Sequence, residues 1–137
     1  NAVGMSLALD MAQTQKKAES KRLQGLCDEL AEAIAKNFPD AQINGPTKHR
    51  LPGNLNISFP SQSSERLLIM LEEKGVLASA GSACGASKDE ASHVLLAIGL
   101  DEAAANSSLR FSLGRSTTDK DIDQTIKALK AIFGGVA

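Results

Sequence analysis

Two stretches of strict alternation constrain this chain more than anything else in it. Leu55, Ile57 and Phe59 alternate with Asn54, Asn56 and Ser58. Leu109, Phe111 and Leu113 alternate with Arg110, Ser112 and Gly114. Successive side chains of a strand point to opposite faces, so each stretch predicts a strand with one apolar and one polar face. On pattern alone the polar residues read as the solvent side. The apolar faces need a cover, and the rest of the sequence offers helices for it.

The helical patterns flank the strands. From about Ala2 to Asn37 the chain reads as one long helix or two broken ones. Val3, Leu7 and Met11 begin an apolar stripe, and Leu23, Leu26, Cys27, Leu30 and Ile34 continue it at helical spacing. Gln13 to Arg22 between them is almost wholly polar, so it is either solvated or covered by something outside this chain. Pro39 bounds the helix. A second helix is expected over residues 65–74, capped from the serines at 61–64 and stopped by Gly75. Ser92 and Asp101 are placed to cap two short helices. Thr118 with Asp121 resembles a capping box at the head of a last helix to about Phe133. Short strands are expected at 41–44 and 76–79. The predicted order is α-β-β-α-β-(loop)-α-β-α. This is an α/β chain of the α+β type, with a small, mainly antiparallel sheet and helices packed on one face.

Length and composition narrow the function. At 137 residues one domain is expected, spanning the whole of 1–137. The net charge of −1 comes from mixed acidic and basic residues, which gives no sign of a nucleic-acid surface or a polybasic membrane anchor. No apolar run approaches the roughly 20 residues of a membrane-spanning helix. The first methionine is Met5, and the expectation is a piece of a longer polypeptide. Two cysteines, Cys27 and Cys84, are too few for a disulfide framework, so a reducing, cytoplasmic setting is the default. With His49 and His93 they form no zinc-ligand spacing.

One stretch departs from packing logic. Val76-Leu77-Ala78-Ser79 runs into Ala80-Gly81-Ser82-Ala83-Cys84-Gly85-Ala86-Ser87, a loop of small residues around a single thiol. Gly81 and Gly85 open backbone conformations closed to other residues, and the alanines and serines offer little to hold the loop down. A mobile nucleophile fits that composition, and so does an ordinary surface loop. Cys27, on the apolar stripe, reads as a packed structural cysteine. Arg110, on the second face of its strand, could hold a carboxylate with two parallel hydrogen bonds, or simply face water. Arg115 carries the same ambiguity. A Cys84–His93 dyad, as in a cysteine hydrolase, is open on spacing alone. His49 and Arg50 fall in a loop with no role assigned.

Several segments jointly resemble one family. Gly81-Ser82-Ala83-Cys84, Ser92 to Leu100, Ser108-Leu109-Arg110-Phe111-Ser112-Leu113-Gly114-Arg115 and Thr117-Thr118 with Asp119, Asp121 and Ile122 are similar to the C-terminal region of cysteine desulfurases, pyridoxal-phosphate enzymes of the class V aminotransferase type. Leu51-Pro52 through Phe59 resembles the preceding strand, and Asn1 to Gly4 the segment after the family's cofactor-phosphate loop.

The resemblance implies the small C-terminal domain of a fold-type I pyridoxal-phosphate transferase. Its helix 2–37 would connect to a cofactor-binding large domain, and the parent would be a homodimer. It implies removal of sulfur from L-cysteine to give L-alanine. Cys84 would carry the persulfide to an acceptor such as an iron–sulfur scaffold protein, and Arg110 would bind the substrate carboxylate. The cofactor lysine would lie in the large domain, so the chain alone is expected neither to bind pyridoxal phosphate nor to turn over cysteine. Gly85-Ala86 and Ala91 depart from the family, which more often has Thr-Ser or His-Ser after the cysteine and a proline at the later position. A selenocysteine lyase and a non-catalytic sulfur carrier using Cys84 alone are the alternative readings.

Overall fold

The computed structural model describes residues 1–46, 48–80 and 91–134. Helix α1 (Ala2–Asn37) leads into β1 (Gln42–Ile43), β2 (Asn54–Ser58) and α2 (Ser64–Glu72). Then come α3 (His93–Ala97), α4 (Glu102–Asn106), β3 (Ser108–Ser112) and α5 (Asp119–Gly134). The strands form one antiparallel sheet in the order β1-β2-β3, with Ile43 opposite Ile57, and Asn56 opposite Arg110.

The alternation does what it predicts on the core side. Leu55, Ile57, Phe59, Leu109 and Phe111 are buried, and α1, α2 and α5 pack over them. The C-terminal half of α1 contributes Leu26, Cys27, Leu30 and Ile34, while α5 contributes Ile122, Leu129 and Ile132. Each such aliphatic side chain removed from water stabilises the fold by about 1.5–3 kcal/mol. With few aromatics available, Phe38, Phe59 and Phe133 gather at one end, their ring centroids 4.8–6.2 Å apart.

Helix α1 is one continuous helix. Its C-terminal half is held by the core and its first half is not: Val3, Met5, Leu7, Leu9 and Met11 are exposed. Arg22 ties the middle of α1 to the turn after β3. Its guanidinium pairs with Glu19 and donates to the carbonyls of Gly114, Arg115 and Thr117.

The ends of the elements follow their capping chemistry. Ser63 Oγ accepts from the Arg66 amide, and Asp101 Oδ1 accepts from the Ala104 amide. The Asp121 carboxylate accepts from the backbone amide and the hydroxyl of Thr118 at 2.8 Å each, so the box closes from the acidic side. Ser92 takes the N-cap position of α3 without a side-chain cap bond. Gly53 is obligatory for a steric reason. At φ +76° a Cβ there would lie 2.8 Å from the Leu113 carbonyl oxygen, and the Gly53 carbonyl accepts from the Leu113 amide at 2.7 Å.

Two expectations change. The strand expected at 76–79 is reduced to a single antiparallel bridge between Ser79 and Arg110. Ala and Ser there give a third neighbour for β3 little to pack with. The polar sheet face, expected to be wet, is dry toward β1. Ser58 and Ser108 are each 1% exposed and Asn44 is buried. The Asn44 amide nitrogen lies 2.6 Å from Asn56 Oδ1, 2.8 Å from Ser58 Oγ and 3.1 Å from Ser108 Oγ. The α4 carbonyl of Ala104 accepts from Ser58 and Ser108. A one-turn helix covers that end of the sheet, and the buried groups find partners among themselves.

Candidate functional site

The site grows from the uncovered remainder of the polar face. Arg110 sits in the middle of β3, opposite Asn56, with an exposed side chain. Its backbone is fixed twice, by β2 on one side and by Ser79 on the other. The Ser79 amide donates to the Arg110 carbonyl at 3.1 Å, and the Arg110 amide donates to the Ser79 carbonyl at 2.7 Å. The residues just before the 81–90 segment are thus pinned to the residue expected to hold the substrate carboxylate.

Beside Arg110 lies a cavity of about 340 Å³. Arg50, Asn54 and Asn56 line it together with Arg110 on the polar side, and Leu51, Val94, Leu95 and Ile98 form the apolar wall. Ser92, two residues after the 81–90 segment, also borders it. Of the residues flanking 81–90, Ser92 thus borders the cavity and Ser79 is bonded to the backbone of Arg110, which lines it.

The expected site residues fall out as follows. Cys84 lies outside the described residues, and so does any pairing of it with His93. His93 itself opens α3 with an exposed ring. Cys27 is a free thiol, 3% exposed within the core. Burial pushes its pKa up, against smaller opposing effects of the Arg50 charge and a Gly53 backbone hydrogen bond, which makes it a poor nucleophile. Arg115 turns away from the cavity and donates to Gln15 Oε1 of α1 at 2.6 Å. His49 is exposed in a left-handed turn at φ 59°. Among the described residues no group of three His, Cys, Asp or Glu side chains could hold a metal ion, and no helix is long and apolar enough to cross a membrane.

Arg50 and the asparagines are the cavity-lining residues that pattern reading passes over. Arg50 reaches the cavity through the turn at Pro52-Gly53, a placement set by the contact of Gly53 with Leu113, sixty residues away in the chain. No local spacing carries that signal.

Comparison with known proteins shows the family of the chain. The aminotransferase class-V family profile matches residues 1–125. A cysteine desulfurase of Homo sapiens is 42% identical over 125 residues, covering 91% of this chain and 27% of that protein. A cysteine desulfurase IscS of Clostridium botulinum is 39% identical over 133 residues, covering 96% of this chain and 34% of that protein. The crystal structure of a NifS-like protein from Rickettsia africae superposes with a TM-score of 0.82 at 27% identity, over 96% of this chain and 33% of that one. The chain belongs to the aminotransferase class-V family, and its fold is that of the matching part of the NifS-like proteins. It spans about a quarter to a third of the length of the relatives it matches.

Proposed function

We propose that this chain is the small domain of a cysteine desulfurase, which takes sulfur from L-cysteine, leaves L-alanine, and holds the sulfur as a persulfide on Cys84. The observation that carries the reading is the backbone pairing of Ser79 with Arg110. It roots the cysteine-bearing loop at the one arginine of the sheet that faces an open cavity. Relatives named cysteine desulfurase, at about 40% identity, support the same assignment and do not favour the selenocysteine lyase alternative.

In this reading Arg110 binds the substrate carboxylate through its planar fork. The thiolate of Cys84 attacks the substrate sulfur. A sulfur–sulfur bond forms, the carbon–sulfur bond breaks, and its electron pair stays on the carbon, which takes a proton to become the methyl group of alanine. The tether sets the range of the thiol. Cys84 is five residue steps from Ser79, and an extended chain spans at most about 3.6 Å per step, so the Cys84 Cα stays within about 18 Å of the Ser79 anchor. That radius includes the cavity and the surrounding surface, where an acceptor protein would collect the sulfur.

The family uses pyridoxal phosphate, and the described residues do not fit its covalent anchorage. A Schiff-base lysine needs a desolvated amine of lowered pKa, whereas every described lysine of this chain is exposed. The cofactor, which supplies the electron sink for carbon–sulfur cleavage, therefore belongs to the remainder of the whole protein. The homodimer, the sulfur-acceptor or iron–sulfur scaffold partner and the cytoplasmic setting rest on the family relationship. A reducing compartment also keeps Cys84 as a thiol.

The test is to incubate the whole enzyme containing this chain with L-cysteine. Cys84→Ser is expected to abolish sulfur release and Cys27→Ser to leave it intact. Equal loss in both variants, or none in Cys84→Ser, would refute the assignment.

A further inference from the structure

We propose that Arg50 is a second anion-binding residue of this site, and that a substrate carboxylate held at Arg110 also accepts a hydrogen bond from the Arg50 guanidinium. The proposal deepens the reading of Arg110 as the carboxylate clamp and rests on it. Its starting point is an unmet requirement. The Nε atom of Arg50 is buried and has no hydrogen-bond partner among the described residues. A guanidinium is charged at every physiological pH and has only donors. A buried charged donor without an acceptor is costly, and a bound anion or water would meet its need.

The surroundings define that ligand. Arg50 and Arg110 line the same cavity, and none of its lining residues is acidic. Neither guanidinium makes an ion pair among the described residues. Asn56 is oriented by the bond that its Oδ1 accepts from Asn44, which leaves its amide nitrogen available on the cavity side of the sheet. Asn54, two residues along the same face of β2, lines the cavity as well. The donors therefore outnumber the acceptors, which selects an anion. Leu51, Val94, Leu95 and Ile98 give the cavity an apolar side against which a short aliphatic side chain can pack. The volume, about 340 Å³, falls within the range of about 300–1,000 Å³ for small-molecule sites. A small α-amino acid meets these demands, with its carboxylate on the two arginines and its short side chain toward the wall.

The backbone at or near each arginine is fixed. Arg110 is in the sheet. Arg50 stands three residues before Gly53, whose carbonyl is bonded to the Leu113 amide. A carboxylate bound between them would bridge the middle of β3 and the loop before β2.

The experiment is an arginine-selective nitrogen NMR titration of the 15N-labelled chain with L-alanine, and with L-alaninamide as the neutral control. L-alanine is expected to shift the Nε resonances of Arg50 and Arg110 along one common saturation curve, and L-alaninamide to shift neither. Arg50→Gln should weaken L-alanine binding by about tenfold or more, as loss of a charge-assisted hydrogen bond requires. Arg50→Lys, which keeps the charge and loses the Nε donor, should weaken it by less. It also serves as the test variant if Arg50→Gln fails to fold. If Arg110 saturates while Arg50 stays still and the Arg50 variants bind normally, the present proposal fails and the role of Arg110 stands. If Arg50 responds and Arg110→Gln binds normally, the role given to Arg110 fails. If neither resonance moves, both are wrong.

Discussion

Replacing Leu30 by alanine should expose one cysteine of this chain and leave the other untouched. Leu30 is 1% exposed and lies one turn beyond Cys27 on the same stripe of α1. Truncating a leucine so enclosed costs about 3 kcal/mol, the middle of the range for buried leucines. Cys27, 3% exposed, can meet a thiol reagent only when this half of α1 leaves the core, an opening whose free energy approaches that of global unfolding. When reclosing is faster than labelling, the rate follows the open population, and 1.4 kcal/mol corresponds to a factor of ten. Cys27 should therefore label about a hundredfold faster in Leu30→Ala than in the parent chain. Cys84, in a stretch of small residues, should label fast in both proteins and at the same rate. The assay is stopped labelling under native conditions, with each cysteine resolved by peptide mass spectrometry. A Cys27 rate unchanged by the cavity, or a Cys84 rate that rises with it, would refute the division into one packed and one presented thiol.

Two further predictions concern the frame around the site. Asn44→Ala removes the bonds to Asn56, Ser58 and Ser108, and should destabilise the chain by about 2–3 kcal/mol in urea unfolding; a loss below about 0.5 kcal/mol would mean that the polar layer is not bonded as described. The Thr118 hydroxyl and backbone amide hold the Asp121 carboxylate below its ordinary pKa, so its stabilising effect is full above the unfolded-state value and fades as pH falls toward the folded one. Asp121→Asn should thus lower stability at neutral pH and converge with the parent in acid, and a pH-independent difference between the two would contradict this.

What was legible in the sequence is what period and capping encode. Leu55, Ile57 and Phe59 declared their face, α1 declared its stripe at Leu26, Leu30 and Ile34, and Asp101 and Thr118 announced helix starts that the structure bears out. The polar face was misread because Asn and Ser look the same in sequence whether water or α4 covers them. Only the fold brings the Ala104 carbonyl over Ser58 and Ser108. The strand expected at 76–79 shrank to one bridge at Ser79, where the chain turns to small residues. Arg110 could be singled out by its place in an alternating strand. Arg50 could not, since a loop arginine acquires meaning only from the residues that a distant turn sets beside it. The exposed apolar residues at the start of α1 were legible as a stripe, but nothing in the chain's own pattern says what lies against them.

The central claim is that sulfur taken from L-cysteine is held on Cys84. The most direct measurement is peptide mass spectrometry of the whole enzyme after brief exposure to L-cysteine without reductant. The account predicts the mass of one added sulfur atom on the peptide bearing Cys84, and an unmodified peptide bearing Cys27. A persulfide on Cys27, or normal sulfur release from an enzyme whose Cys84 never carries one, would contradict it.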